Sequence, residues 1–297
     1  MCSSDLTVGS IVGTFLPVLV LIPAIGTRRT LILIAAVLAL AAVPLLGARA
    51  MAAPVVLVAM LALPLGTIKD EPGERVLFEA ESPYQYVQVT EAPGGERILR
   101  LNEGWALHSV LPANRGALTG GYWDAFLTLP LLTGRPDARV AILGSAGGTT
   151  ARAFRLTWPR VHVDGVEIDP VVTDAGNRYL DMAGPNLTTH EADARFWLAG
   201  ERGPFDAIVV DAYRQPYIPF QLVTEEFFRS VRDHLTPGGA VMINVGAPPG
   251  HGQALDAIAG TMATVFPVVE RSRVNDFNTV VWAFRDDATA AGARGRL

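Results

Sequence analysis

From Arg139 onward, short apolar segments alternate with segments of helical pattern, and this alternation constrains the fold more than any other feature of the sequence. The apolar segments read RVAILG, VHVDGVEID, LTTHEAD, FDAIVVDAY, GGAVMINVG and TVVWAFR. Continuous apolar strands separated by helices are typical of a parallel sheet with helices on both faces. The pattern therefore predicts an α/β fold with a Rossmann-like, doubly wound sheet over residues 113–297.

Residues 69–112 show a different pattern. Their segments RVLFEAE, YQYVQVTE, RILRLNE and ALHSVL are short, and they are separated by SP, APGG and NEG. Alternation at period two, with Gly and Pro at the breaks, predicts antiparallel strands. We expect a polar linker followed by a small N-terminal antiparallel β subdomain. The next apolar segment, YWDAFLTLPLL at 122–132, predicts one buried helix.

The first 68 residues are strongly apolar, and after Asp5 their only charges are Arg28, Arg29 and Arg49. A bilayer core needs roughly 20 apolar residues per helix. Three segments approach this length: Leu6 to Ile25, Thr30 to Leu46, and Met51 to Ile68. A signal peptide is the alternative for the first segment, but Asp5 stands where a basic n-region is expected. Residues 1–68 are therefore predicted to form a membrane region with about three transmembrane helices.

The arginines also predict an orientation. Arg28 and Arg29 lie between the first two predicted spans, and the positive-inside rule places such a turn in the cytoplasm. The third span then returns the chain to that side. We therefore expect a multi-pass protein of the cell membrane with a cytoplasmic soluble domain. The first span begins almost at Met1. Such a start is also expected where the sequence is the end of a longer membrane protein.

The composition argues against several kinds of site. Cys2 is the single cysteine, so neither a disulfide within the chain nor a CxxC cluster is expected. The five histidines show no ligand spacing, and no metal site is predicted. The formal net charge is −5 and the soluble part has no basic stripe, so no nucleic-acid partner is expected.

The candidate site lies at the ends of the predicted strands, because open α/β sheets bind ligands beyond the carboxyl ends of their strands. The first strand is followed by LGSAGGTTAR, in which Gly144, Gly147 and Gly148 allow the backbone to approach a ligand closely. An ordinary strand-to-helix turn is the alternative. The second strand ends at Glu167, about 20 residues later, where an acid accepts hydrogen bonds from ribose hydroxyls.

The next two strands also end in acids. Asp193 and the adjacent Ala194 follow the third strand, where the carboxylate could accept from an adenine amino group. Capping of the following helix is an equally natural role for Asp193. The fourth strand ends at Asp211. No GxxxxGK[ST] phosphate loop accompanies these acids, which favours a nucleoside with a cationic group, such as S-adenosylmethionine or a relative of it.

Several motifs follow one another along the chain: YQ (84–85), YWDAFLTLPLL, ILGSAGGTTAR, VEID, DARFW, FDAIVVD and LTPGGA. This order resembles the spermidine synthase family of polyamine aminopropyltransferases. The resemblance covers residues 75–285, nearly all of the predicted soluble part, and it implies a class I methyltransferase-like sheet. The preceding spans resemble the membrane region of bacterial proteins that fuse such a domain to transmembrane helices.

The resemblance implies roles for individual residues. Gln85, Glu167 and Asp193 would contact decarboxylated S-adenosylmethionine as cosubstrate. Asp211 would be the catalytic base that takes a proton from the attacking amine, and Tyr122 an active-site tyrosine. The acceptor would be a small-molecule amine, and two chains would pair through their soluble domains.

Three positions depart from the family pattern. Gly147 stands where the family has an aspartate, Arg214 where its loop carries a second acid, and Trp123 where it has glutamine. An arginine in place of an acid repels a diamine. These departures predict weak activity on putrescine and a pocket that tolerates a carboxylate.

Three functions remain open from the sequence. The first is aminopropyl transfer to an amine. The second is a methyltransferase-like use of intact S-adenosylmethionine, which the missing aspartate at Gly147 favours. The third is a non-catalytic nucleoside-sensing domain that acts with the membrane helices.

Overall fold

The computed structural model describes residues 2–63, 68–102, 107–200, 203–213, 218–246, 250, 252–287 and 292. The chain divides into two compact units. One comprises Met1–Glu71 with Glu79–Val87, and the other Pro72–Phe78 with Gln88–Leu297. The predicted division into residues 1–68, 69–112 and 113–297 stays a prediction.

The first unit begins with apolar helices. They are α1 (Cys2–Leu16), a π-helical turn (Pro17–Leu21), α2 (Ile22–Ile25), α3 (Thr27–Leu46), a 3₁₀ turn (Ala48–Met51) and α4 (Ala52–Leu61). The wider turn starts at Pro17, which has no N–H for a regular helical hydrogen bond. Gly26 and Gly47, with φ of +81° and +86°, separate consecutive helices.

Two of these helical segments are long and apolar enough to cross a membrane, Thr7–Ile25 with 19 residues and Thr27–Leu46 with 20. Large apolar side chains along them are exposed, including Leu19, Leu38 and Leu45. The third predicted span was too long, since the apolar helix there is the shorter Ala48–Leu61. Residues 64–67 of that prediction lie outside the described residues. Length and composition make the two long helices candidates for membrane spans.

The start of α3 is capped by a side chain distant in sequence. The backbone N–H of Thr27 donates to Glu81 Oε2 at 2.5 Å, which satisfies one of the free donors at a helix N-terminus. Glu79 accepts from the N–H of Ile68 at 2.8 Å and from the hydroxyl of Tyr86 at 2.8 Å. Within the first unit, the segment around Glu81 therefore lies at the same end of α3 as Arg28 and Arg29.

The first sheet has four strands in the order β1-β2-β3-β4. They are β1 (Arg75–Glu81), β2 (Tyr86–Glu91), β3 (Arg97–Leu101) and β4 (Leu107–Leu111). β3 and β4 pair antiparallel, as the period-two pattern predicts.

The second sheet has seven strands in the order β10-β11-β9-β8-β5-β6-β7. They are β5 (Arg139–Leu143), β6 (His162–Glu167), β7 (Leu187–Glu191), β8 (Phe205–Val210), β9 (Leu235–Gly246), β10 (Val268–Arg273) and β11 (Asn278–Phe284). The five strands from β5 to β9 are parallel, whereas β11 pairs antiparallel with β9 and with β10. The Rossmann-like prediction is confirmed, but the sheet is mixed and not wholly parallel.

Helices cover both faces of this sheet. They are α5 (Trp123–Phe126), α6 (Leu129–Thr133), α7 (Thr149–Thr157), α8 (Pro170–Tyr179), α9 (Ala194–Ala199), α10 (Glu225–Asp233) and α11 (Gln253–Ala263). Alternate residues of β8 join two different cores, Ile208 packing with α10 and α11 residues and Val209 with α5, α6 and α7 residues. The single helix predicted at 122–132 was wrong, because α5 ends at Phe126 and α6 begins at Leu129, with Pro130, which has no N–H, in its first turn.

Candidate active site

The sheet brings the end of β8 against the turn that follows β5. The two strands are parallel neighbours, with Leu143 opposite Val210. The N–H of Asp211 then donates to the carbonyl of Leu143 at 2.8 Å. Because the carboxyl ends of parallel strands meet at one edge of the sheet, Asp211 lies beside the glycine-rich turn that begins at Gly144.

The Asp211 carboxylate accepts hydrogen bonds from two side chains. Tyr122 Oη donates to Oδ2 at 3.0 Å, and Asn244 Nδ2 donates to Oδ1 at 3.0 Å. The residue is partly exposed. A carboxylate has about four lone-pair sites, so two donors leave acceptor sites for a substrate N–H. Sequence reasoning named Asp211 and Tyr122 separately, and the structure brings them into contact.

The pKa of Asp211 is raised to about 7 by burial of its carboxyl group. Donation by Asn244 and Tyr122 lowers this pKa and only partly offsets the burial. A carboxylate with a pKa near neutrality is suited to general-base catalysis, because it is partly ionised and readily takes a proton.

Asn244 is a site residue that sequence reasoning missed. It is buried, with 2% of its surface exposed, near the end of β9. Val210 of β8 pairs with Ile243 of β9, so Asp211 and Asn244 follow equivalent positions on neighbouring strands. A polar residue near the carboxyl end of an apolar strand was the signal that identified the other acids, and it applies equally to Asn244.

Two tyrosines stay protonated beside Asp211. Burial, with the charge of Asp211 adding to it, raises the pKa of Tyr122 well above its usual value and raises that of Tyr213 as well. Tyr213 Oη donates to the carbonyl of Asn244 at 2.9 Å and accepts from the N–H of Gly246 at 2.7 Å. Tyr213 thereby fixes the segment after Asp211 to the end of β9.

The glycines after β5 are required by packing against the rest of the protein. Gly144 has a φ of +91°, and a Cβ atom there would lie 2.5 Å from Ala212 Cα. A Cβ at Gly147 would overlap Leu180, and one at Gly148, whose φ is +84°, would overlap Met182. At Gly144 the overlap is with backbone atoms, whereas at Gly147 and Gly148 it is with the side chains of Leu180 and Met182.

Glu167 is joined to the same turn. Its Oε2 accepts from the N–H of Ala146 at 3.0 Å, and its Oε1 accepts from the N–H of Asp169 at 3.1 Å. Burial raises the pKa of Glu167 to about 7, while the backbone donors lower it. The carboxyl group thus lies at the carboxyl end of β6 against the glycine-rich turn.

Asp193 caps a helix, as the alternative interpretation predicted. Its Oδ1 accepts from the N–H groups of Arg195 at 2.9 Å and Phe196 at 3.1 Å, at the start of α9. Ala194 is buried in the core with residues of β6 and β8. Both residues therefore have structural roles, and their predicted contact with a nucleoside stays a prediction.

Two predicted positions, Gln85 and Arg214, stay predictions. Gln85 belongs to the first compact unit, where its carbonyl accepts from the N–H of Ser82 at 2.9 Å. Arg214 lies outside the described residues, as does the rest of segment 214–217. The residues that the structure brings together are thus Tyr122, Asp211 and Asn244, with the turn at Gly144 beside them.

Comparison with known proteins relates the chain to enzymes of polyamine chemistry. It is 39% identical over 191 residues to the probable polyamine aminopropyl transferase of Bifidobacterium longum, covering 64% of this chain and 42% of the relative. It is 32% identical over 178 residues to putrescine N-methyltransferase 3 of Nicotiana tabacum, covering 57% of this chain and 44% of the relative. The chain spans about two fifths of the first of these relatives.

The fold has matches among solved structures. A spermidine synthase in complex with the transition-state analogue AdoDATO superposes with a TM-score of 0.58 at 19% identity, covering 71% of this chain and 74% of that one. No family model matches the sequence. The chain is thus similar in sequence to polyamine aminopropyltransferases and in fold to a spermidine synthase.

Proposed function

We propose that the chain is a membrane-anchored aminopropyltransferase that moves an aminopropyl group from decarboxylated S-adenosylmethionine to a small amine. The observation that carries the proposal is the Asp211 carboxylate, which lies at the sheet edge and accepts from Tyr122 and Asn244 at 3.0 Å each. The relatives named polyamine aminopropyltransferases supply the reaction class.

In this reaction the amine nitrogen attacks the carbon next to the sulfonium. A C–N bond forms, the C–S bond breaks, and its electron pair goes to sulfur, which leaves as a neutral thioether. An alkylammonium has no free lone pair, so the amine must lose a proton to act. Asp211 accepts that proton and, through its free lone-pair sites, orients the nitrogen. Tyr122 and Asn244 supply donors that stabilise the carboxylate before the proton transfer.

The donor would lie against the glycine-rich turn. Glu167 is proposed to accept from the ribose hydroxyls, and its contact with the Ala146 N–H keeps it beside the turn. Asp193 and Ala194 are proposed to border the adenine. Asp193 caps α9 through Oδ1, so its Oδ2 carries the adenine contact in this proposal.

The test is a product assay of the purified full chain in detergent. It is incubated with decarboxylated S-adenosylmethionine and a panel of monoamines and diamines, and mass spectrometry detects the aminopropyl adduct and methylthioadenosine. We expect adduct formation with the wild type and its loss in Asp211→Asn. Absence of any adduct across the panel, with the donor recovered intact, would refute aminopropyl transfer.

Methyl transfer from intact S-adenosylmethionine is the second candidate. A specific observation favours it, because glycine stands at position 147 in place of the aspartate of the family pattern, and a side chain there would displace Leu180 and touch Ser109. Without that acid, the pocket lacks a group that would repel the carboxylate of the intact donor. The likeness to a relative named putrescine N-methyltransferase 3 supports this candidate.

Parallel calorimetric titrations separate the two candidates. The full chain is titrated with S-adenosylmethionine, its decarboxylated form and methylthioadenosine. Tighter binding of the decarboxylated form supports aminopropyl transfer, whereas equal or tighter binding of the intact donor supports methyl transfer. A chain that binds methylthioadenosine but gives no product with either donor would be a nucleoside-sensing domain.

The membrane anchor is the other part of the proposal. Two helical segments are long and apolar enough to span a bilayer. The contact of Glu81 with the N–H of Thr27 supports a return of the chain, after α4, to the end of α3 that carries Arg28 and Arg29. The positive-inside rule then gives a cytoplasmic location for the soluble part. Pairing of two chains through the soluble domain stays a prediction.

A further inference from the structure

Two side-chain amides form a hydrogen-bonded chain that ends on Asp211. Asn278 Nδ2 donates to Asn244 Oδ1 at 3.0 Å, and Asn244 Nδ2 donates to Asp211 Oδ1 at 3.0 Å. Asn278 is the first residue of β11, and no sequence pattern associated it with the site.

The sheet register explains why these amides meet. β11 runs antiparallel to β9, with Val280 opposite Asn244 and Asn278 opposite Gly246. Asn278 is thus the diagonal neighbour of Asn244, two residues from the directly paired position, and their side chains project from the same face of the sheet. Asn244 is buried, so each polar atom of its amide needs a partner inside the protein.

The orientation of the Asn244 amide decides what Asp211 encounters. With Nδ2 toward Asp211, the carboxylate receives a hydrogen bond. With the amide turned over, Oδ1 would face Oδ1 of an ionised carboxylate, and two acceptors would repel each other. A donor on the far side of Asn244 favours one of the two orientations, because it pairs with Oδ1 and leaves Nδ2 facing Asp211.

We propose that Asn278 is a positioning residue for Asp211: by donating to Asn244 Oδ1, it holds the Asn244 amide in the orientation that presents Nδ2 to the carboxylate. Asn278 acts through Asn244 and does not contact Asp211. The arrangement favours the ionised carboxylate. The positioning of the carboxylate stands by itself, and only its use as a catalytic base rests on the proposed function.

The turn before β11 holds Asn278 in place. Asn275 Oδ1 accepts from the N–H groups of Phe277 and Asn278 at 2.8 Å each, and the N–H of Val274 donates to the carbonyl of Asn278 at 3.0 Å. The Asn275 side chain therefore shapes the turn through its accepting Oδ1. This supplies a matched control position, because an aspartate at 275 keeps the accepting oxygen and adds a charge three residues from Asn278.

The test compares Asn278→Asp with Asn275→Asp in the full chain in detergent. An ionised aspartate at 278 cannot donate to Asn244 Oδ1 and attracts Nδ2 instead, so the Asn244 amide turns its oxygen to Asp211. The same charge at 275 leaves that donation intact. Asn278→Leu removes the donor without adding charge. The titratable groups that face Asp211 among the described residues, Tyr122 and Tyr213, are unchanged in all three variants.

The primary readout is the titration of the Asp211 carboxyl group by ¹³C NMR without substrate, with Asp211→Asn identifying its signal. We expect its midpoint in Asn278→Asp to lie about one pH unit above that in Asn275→Asp. Asn278→Leu should shift it in the same direction by less. Equal midpoints in Asn278→Asp and Asn275→Asp would overturn the proposal, because the effect would then be one of charge alone.

The acid limb of the kcat/KM profile is the second readout. It should move with the NMR midpoint across the variants if Asp211 is the catalytic base. A midpoint that shifts while the chain shows no transferase activity refutes the proposed function and leaves the positioning role supported. If the acid limb of the kcat/KM profile shifted among the variants while the NMR midpoint of Asp211 did not, the positioning role would be overturned.

Discussion

The hydrogen bonds to Asp211 come from Tyr122 and Asn244, so the state of one carboxylate depends on residues far apart in sequence. We expect Asp211→Asn to lower kcat/KM by roughly 100- to 10,000-fold, the usual contribution of a general base. The amide is isosteric and can accept from Asn244 and donate to Tyr122, so the fold and donor binding should persist. Steady-state kinetics and calorimetry on the same preparation measure the two effects.

Asp137→Asn is the matched control, because Asp137 is an exposed carboxylate in the loop before β5. It should leave both measurements unchanged. If Asp211→Asn lost binding of decarboxylated S-adenosylmethionine as well as turnover, the role of Asp211 would not be limited to taking the proton of the acceptor amine. Full turnover in Asp211→Asn would remove Asp211 from the mechanism.

The raised pKa of Asp211 also predicts a pH dependence of stability. Its pKa rises from 3.8 to about 7 on folding, so between these values the folded state binds a proton that the unfolded state does not. The contribution of this group to stability is therefore largest at the acid end and decreases as pH rises through the window. Asp211→Asn should gain thermal stability relative to wild type as pH rises from about 4 to about 7, as calorimetric melting measures. A constant difference in Tm would contradict the raised pKa.

At the scale of residues, the sequence predicted those site positions that a strand-end rule can reach. Asp211 and Glu167 end apolar strands, and the sheet places both beside the glycine-rich turn. Asn278 could not be found this way, since it begins its strand and reaches Asn244 only through antiparallel register. The close approach of Gly147 to Leu180 could not be predicted either, because it follows from tertiary packing.

At the scale of elements, the glycine-rich turn between β5 and α7 fixes the position of Asp211. Gly144→Ala should lower the free energy of unfolding by roughly 1–3 kcal/mol from backbone strain alone, because φ is +91°. The added Cβ would also lie 2.7 Å from the carbonyl oxygen of Asp211 and displace that residue. We therefore expect kcat/KM to fall with stability in this variant, as thermal unfolding and kinetics together measure.

Gly260→Ala is the matched substitution in a helix. Gly260 lies inside α11, and a Cβ atom there would meet no atom of the described chain within 4 Å. This change should raise the free energy of unfolding by about 0.5–1 kcal/mol and leave kcat/KM unchanged. If Gly144→Ala left the free energy of unfolding unchanged or raised it, the packing account of the turn would be wrong.

Element prediction succeeded where periodicity was strong and failed where one residue overrode it. The apolar run at 122–132 predicted one helix, but it divides into α5 and α6, with Pro130 in the first turn of α6. β10 was not predicted, because VVERSR carries three charges and resembles a polar connection. It is a strand because it pairs with β11, from Val268 opposite Phe284 to Arg273 opposite Thr279.

For the whole molecule, alternation of strands and helices was sufficient to predict the Rossmann-like fold. The antiparallel β10 and β11 follow from pairings that single segments do not encode. The membrane region was predicted from composition, and the two long helices agree with it in length. The third helix is shorter than the predicted span, because the helical segment ends at Leu61.

The topology of the whole chain gives the last prediction. If α3 crosses the membrane with Arg28 and Arg29 in the cytoplasm, its other end, next to Ala48, lies outside. The single native cysteine permits a clean test in a Cys2→Ser background. Ala48→Cys should react with a membrane-impermeant maleimide in intact cells, whereas Asp137→Cys in the soluble domain should react only after permeabilisation. Labelling of Asp137→Cys in intact cells would place the soluble domain outside, and the Arg28–Arg29 turn would then no longer set the orientation of the chain.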